Sequence, residues 1–76
     1  MVIEILQTSQ NPIILLCFSQ LGQHQFNYSE SPSEFYNWIC RQLDNNPNTQ
    51  IEFKGVVNSK VQDDCVRAKN RPSIDF

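Results

Sequence analysis

Ile13-Ile14-Leu15-Leu16-Cys17-Phe18 is the stretch on which the reading of this chain turns. Successive side chains of a strand point to opposite faces. As a strand, the run lays Ile13, Leu15 and Cys17 on one face and Ile14, Leu16 and Phe18 on the other. Both faces then need cover. A chain of 76 residues has little material for two covering layers. The second face is therefore expected to be covered by a C-terminal helix or by another chain. A chain this short buries only about 60–65% of its unfolded surface, so its stability is expected to be marginal.

Reading outward from this strand, residues 2–6 form a first strand. β-Branched side chains stand at Val2, Ile3 and Ile5, and Glu4 points away from Ile3 and Ile5. Thr8-Ser9-Gln10-Asn11-Pro12 between the two strands is turn chemistry. On the other side, Leu21-Gly22-Gln23 is a second turn. In residues 23–28 the chain alternates, with His24, Phe26 and Tyr28 on one side and Gln23, Gln25 and Asn27 on the other. That is the pattern of a half-exposed edge strand. The three strands make an antiparallel meander.

Ser31-Pro32-Ser33-Glu34 has the form of a capping box, with serine at the N-cap and proline at the first helical position. The helix is expected over 32–44. Phe35, Ile39 and Leu43 centre its buried stripe, widened by Tyr36 and Cys40 on one flank and Trp38 on the other. Residues 49–57 read as a fourth strand, with Gly55 inside it as a bulge or close approach. Ser59 and Gln62 form a weaker capping box for a short helix over 60–69. Its stripe is Val61, Cys65 and Ala68, widened by Val66. Pro72 ends it, and residues 72–76 read as a tail that docks through Ile74 and Phe76. The expected architecture is one α+β domain over 1–71: about four antiparallel strands and two helices in the order β-β-β-α-β-α.

Composition narrows the function classes. The net charge is −2, and Lys and Arg number six. Four of the six, Lys60, Arg67, Lys69 and Arg71, are interleaved with Asp63, Asp64 and Asp75. A phosphate backbone is held by clustered cations, so this balance argues against a nucleic-acid partner. No basic segment with a following apolar run opens the chain, and 13–18 is too short to span a bilayer. The expected location is the cytoplasm, with no membrane partner.

Cys17, Cys40 and Cys65 form no C-x-x-C pair, and with His24 they are spaced by 7, 16 and 25 residues. Structural zinc sites use at least one close ligand pair, so no metal is expected. No glycine-rich phosphate loop marks a cofactor or small-molecule site, and Gly22 and Gly55 are the only glycines. A cysteine nucleophile needs a base within hydrogen-bond reach. Cys17 and His24 are the pair that a hairpin would bring together, yet Cys17 sits in the most apolar run, where burial raises a thiol pKa.

The expected function is therefore a small regulatory or protein-interaction module, acting through another protein or a second copy of itself as a homodimer, and not an enzyme. Phe26, Tyr28, Tyr36 and Trp38 are its candidate contact residues, because large aromatics with a polar tip are typical of interface centres. Two other readings compete. One is a thiol-dependent enzyme or redox protein using Cys17 and His24. The other is a weak single-stranded nucleic-acid binder that stacks bases on the strand aromatics, aided by Lys60, Arg67, Lys69 and Arg71.

Overall fold

The computed structural model describes residues 1–71. The chain runs β1 (Val2–Gln10), β2 (Ile13–Ser19), β3 (Gly22–Asn27), α1 (Pro32–Asn45), β4 (Gln50–Lys54) and α2 (Ser59–Asn70). This is the small α+β domain and element order that the hydrophobic periodicity predicts. The expected tail over 72–76, with Ile74 and Phe76, lies outside the described residues.

The sheet order is β3-β2-β1-β4. β1 pairs antiparallel with β2 and β2 antiparallel with β3, which is the expected meander. β4 joins β1 in parallel, so the sheet is mixed. The reason is topological. β3 and β4 point the same way at opposite edges, so the chain must cross the whole sheet between them. Parallel strands need such a crossover, and α1 supplies it.

β1 is longer than residues 2–6. Backbone pairing with β2 continues through the polar Thr8-Ser9-Gln10 and leaves only Asn11 and Pro12 in the turn. Gln7 stands opposite Leu15 and Ser9 opposite Ile14, so Thr8 is an extra, bulged residue. β4 is shorter than expected. Gly55 does not sit inside the strand but ends it, with φ at +69°, a left-handed conformation that costs glycine little.

α1 buries Phe35, Trp38, Ile39 and Leu43, and α2 buries Val61, Cys65 and Ala68. Both stripes match the 3.6-residue period. Val66, expected to widen the second stripe, is exposed. The caps differ as well. Ser31 makes no side-chain capping bond. Asn58, not Ser59, caps α2: its side chain accepts the Lys60 N–H at 2.8 Å, while Gln62 donates to the Val57 carbonyl at 2.8 Å. Asparagine and serine are near-equal N-caps, so the expectation of Ser59 missed by one residue.

One core holds the molecule together: Ile3 and Ile5 from β1, Leu15 and Cys17 from β2, Tyr28 and Val57 from loops, and the two helical stripes. Both helices therefore pack on the same face of the sheet. The expectation that the C-terminal helix covers the second face is not met. Long-range bonds tie α2 and its ends to β1, to the loop at Tyr28 and to α1. Asn58 N–H donates to the Gln7 side chain at 2.7 Å, the Tyr28 hydroxyl donates to Asp64 at 2.5 Å, and Arg71 donates to the Cys40 carbonyl at 3.2 Å and to the Asp44 carboxylate.

Candidate interaction surface

The alternation in β2 divides the sheet into two unlike faces. Leu15 and Cys17 lie under the helices with no exposure, in register with Phe26 and His24 of β3. Ile14, Leu16 and Phe18 point the other way and are half-buried. Leu6 of β1 stands opposite Leu16 on that second face, and Val2, 42% exposed, lies farther along the strand. No element among the described residues covers it. The result is an apolar stripe of Leu6, Ile14, Leu16 and Phe18 down the two central strands.

The borders of the stripe differ. On the β3 side, Gln25 pairs with Leu16, Gln23 with Phe18 and Asn27 with Ile14, giving a row of uncharged amides. On the β4 side, Lys54 reaches Glu4 at 3.1 Å and Glu52 at 3.7 Å. These two carboxylates hold the Lys54 ammonium pKa above its usual value, the Glu4 hydrogen bond contributing most. All three side chains are well exposed, so the pairs add little stability. They do frame the stripe with a polar rim, the usual anatomy of a protein-contact patch.

The aromatic candidates lie elsewhere. Phe26 meets the Phe35 ring edge-on at 5.7 Å and the Trp38 ring at 5.5 Å, and Tyr28 meets Phe35 at 5.8 Å. Tyr28 and Trp38 are buried and Phe26 and Tyr36 half-buried, all on the helix-covered side or between the helices. Arg67 covers the Tyr36 ring, 5.0 Å from its centroid. The aromatic–aromatic pairs stabilise a core by about 0.5–1.5 kcal/mol each beyond their burial. Phe26, Tyr28, Tyr36 and Trp38 thus serve mainly to glue α1 and α2 to the sheet. The six-residue apolar run already marks the second face of β2 as one that another chain could cover, and the structure adds Leu6 to it.

The competing chemistries can be placed as well. Cys17 and His24 are register partners on neighbouring strands, so the hairpin does bring them to one face. Cys17 is fully buried, and burial pushes its thiol up to about 12. Burial does the same to Cys65, helped by nearby Cys17. The thiolate, the nucleophilic form, is then scarce at neutral pH. Native-state thiol titration at pH 7 is expected to label Cys17 and Cys65 slower than Cys40 by about 100-fold or more, since labelling must await local opening. Equal rates for the three would reopen the redox reading.

Two of the C-terminal cations, Lys60 and Arg67, lie beside Tyr28, in the company of carboxylates. Arg67 bonds Asp64 at 2.5 Å, and Arg71 bonds Asp44. Lys60 and Arg67 share a groove of about 450 Å³ with Tyr28, Asp63, Asp64 and Val66, where the two carboxylates balance the two cations. Asp64 accepts from both Tyr28 and Arg67. Desolvation, with the hydrogen bond to Asp64 next, raises the Tyr28 phenol pKa.

Among the described residues no three His, Cys, Asp or Glu side chains come together as a metal would need. No helix there is long and apolar enough to cross a membrane. Comparison with protein-family models, with curated proteins and with solved structures finds no match.

Proposed function

We propose that this chain is a small protein-interaction module of the cytoplasm, with a regulatory rather than a catalytic role, and that it acts by docking another protein chain on its open sheet face. The observation that carries this reading is the placement of both helices on one face, which leaves Leu6, Ile14, Leu16 and Phe18 uncovered on the other. Contiguous apolar patches rimmed by polar residues mark association sites, and a rigid scaffold holds such a patch in shape. A four-stranded sheet backed by two helices is such a scaffold. The free cysteines Cys17, Cys40 and Cys65 fit a reducing compartment.

The test is a photo-crosslinking amino acid placed at Phe18 on the open face, with Val56, 86% exposed outside it, as the comparison site. In the cells that make the protein, position 18 is expected to yield a discrete crosslinked species and position 56 none. Adding Leu16→Lys, which sets a charge in the stripe, is expected to abolish that species while the melting transition persists. Equal labelling from positions 18 and 56 would remove the proposal.

A further inference from the structure

β3 is an edge strand, and its hydrogen-bonding pattern can be followed residue by residue. Tyr28 N–H donates to the Ile13 carbonyl at 2.9 Å. In an antiparallel pair, inward and outward backbone groups alternate. The register runs unbroken from Ile14 opposite Asn27 to Ser19 opposite Gly22. Phe26, His24 and Gly22 therefore turn their backbone groups toward β2, and Gln23, Gln25 and Asn27 turn theirs outward. The Asn27 carbonyl is already occupied, accepting Glu30 N–H at 3.2 Å and Ser31 N–H at 2.9 Å. Among the described residues, Gln23 and Gln25 are left with N–H and C=O groups facing out from the sheet edge.

Natural edge strands are usually blocked by a charge, a proline or a bulge. β4, the other edge, carries Glu52 and Lys54. β3 reads Gly-Gln-His-Gln-Phe-Asn, with no Lys, Arg, Asp, Glu or Pro and no register shift. We infer that the β3 edge pairs with the β3 edge of a second copy, antiparallel, about a twofold axis through His24.

Two features of β3 select a second copy as the occupant. An isologous contact brings every group to its own image, so an edge with fixed charges would repel itself, and this edge carries no Asp, Glu, Lys or Arg, His24 being its one titratable side chain. The register also closes on itself. With His24 opposite its image, Gln23 of each copy faces Gln25 of the other, and both outward pairs of groups are used in four backbone hydrogen bonds. A shift that set Gln25 opposite Gln25 would pair Gln23 with Asn27, whose carbonyl already has two donors. The twofold axis stands perpendicular to the sheet. The product is an eight-stranded sheet with all four helices on one side and the two open faces joined on the other. This pairing does not depend on what docks on the open face, and it doubles the width of that platform.

Sedimentation and light scattering of the purified chain, from low micromolar to about 1 mM, test the inference. The wild type is expected to shift from monomer to dimer across that range. Gln25→Pro removes an outward N–H without touching the β2 ladder, as proline on an edge can. By symmetry it deletes two bonds per dimer, and the dissociation constant is expected to rise at least about 30-fold. Leu16→Lys is expected to leave the dimer intact, which separates this edge from the open face.

If Gln25→Pro fails to fold, the pair Gln23→Lys and Gln25→Lys replaces it, setting like charges across the edge, and is expected to be monomeric. Amide exchange is a second readout: Gln23 and Gln25 N–H should exchange more slowly in concentrated than in dilute solution. A wild type that stays monomeric to about 1 mM, a dimer that survives both edge variants, or concentration-independent exchange at Gln23 and Gln25 would each overturn the inference.

Discussion

Phe35→Ala is expected to remove about half or more of the stability of this chain. Phe35 has no exposed surface and lies where α1 meets the sheet, in edge contact with both Phe26 and Tyr28. Truncating a buried phenylalanine costs about 3–5 kcal/mol, because the lost transfer energy is joined by the cost of the cavity. A folded chain carries roughly 0.05–0.15 kcal/mol of net stability per residue, and small domains lie toward the low end. At this length that is about 4–11 kcal/mol, so one ring is worth a large share of the whole. The loss is also cooperative. Without Phe35, the Phe26, Tyr28 and Trp38 rings lose a common neighbour or support on α1.

Urea unfolding followed through Trp38, the single tryptophan, checks this. The midpoint is expected to fall by more than half with the slope unchanged, since the same surface is exposed on unfolding. Leu21→Ala is the comparison. Leu21 is 83% exposed in the β2–β3 turn, and its loss should change stability by no more than about 0.5 kcal/mol. A Phe35→Ala loss as small as that of Leu21→Ala would contradict the core described above.

Alkaline pH is expected to unfold the protein before any backbone chemistry sets in. Burial pushes the Cys17 and Cys65 thiols up to about 12. In the unfolded chain a thiol titrates near 8.5. Between those values the unfolded state gives up two protons that the folded state keeps. Fewer protons bound in the unfolded state means that stability falls as pH rises. The contribution is complete below about pH 8.5 and is lost progressively toward pH 12. Each thiol lowers stability by about 1.4 kcal/mol per pH unit in that window.

Two thiols together remove about 4 kcal/mol over the first one and a half units, which approaches the whole stability of a domain this size. Tyr28 adds to the slope above about pH 10, because its phenol is shifted the same way. Urea midpoints measured from about pH 7 to pH 10.5 should stay level and then drop steeply. Cys65→Ala should start from a lower midpoint but show about half the initial steepness, having one titrating thiol fewer. A wild-type midpoint that holds constant across that range would show that the two thiols are not buried as described.

The relation between sequence and structure follows from which signals are local. Alternation within residues 13–18 placed Leu15 and Cys17 together, and the structure buries both. The spacings of Phe35, Ile39 and Leu43, and of Val61, Cys65 and Ala68, likewise specified two buried helical stripes. These patterns span at most three helical turns, so they survive without knowledge of the rest of the chain. The misreadings came where local signals compete or fall silent. Polar Thr8-Ser9-Gln10 has turn composition, yet pairing with β2 carries β1 through it. Asn58 and Ser59 are adjacent capping residues of similar strength, and the Gln7 contact at the Asn58 N–H favours the former. The aromatics Phe26, Tyr28, Tyr36 and Trp38 have the same composition whether they line a core or an interface, and only packing tells the two apart.

The sequence by itself thus determined the element order, the two helical stripes and the fact that β2 has two apolar faces. Only the tertiary structure decided which face is left open. A thin stripe of Val61, Cys65 and Ala68 would fit either side of the sheet equally well. On the face it occupies, α2 buries Val61, Cys65 and Ala68 in the common core and is tied there by bonds between residues far apart in the chain: Asn58 with Gln7 across 51 positions, Tyr28 with Asp64 across 36, and Arg71 with Cys40 across 31. Contacts of that range leave no periodicity to read. They depend on the tertiary arrangement that brings their partners together, and with α2 on that face Leu6, Ile14, Leu16 and Phe18 face outward.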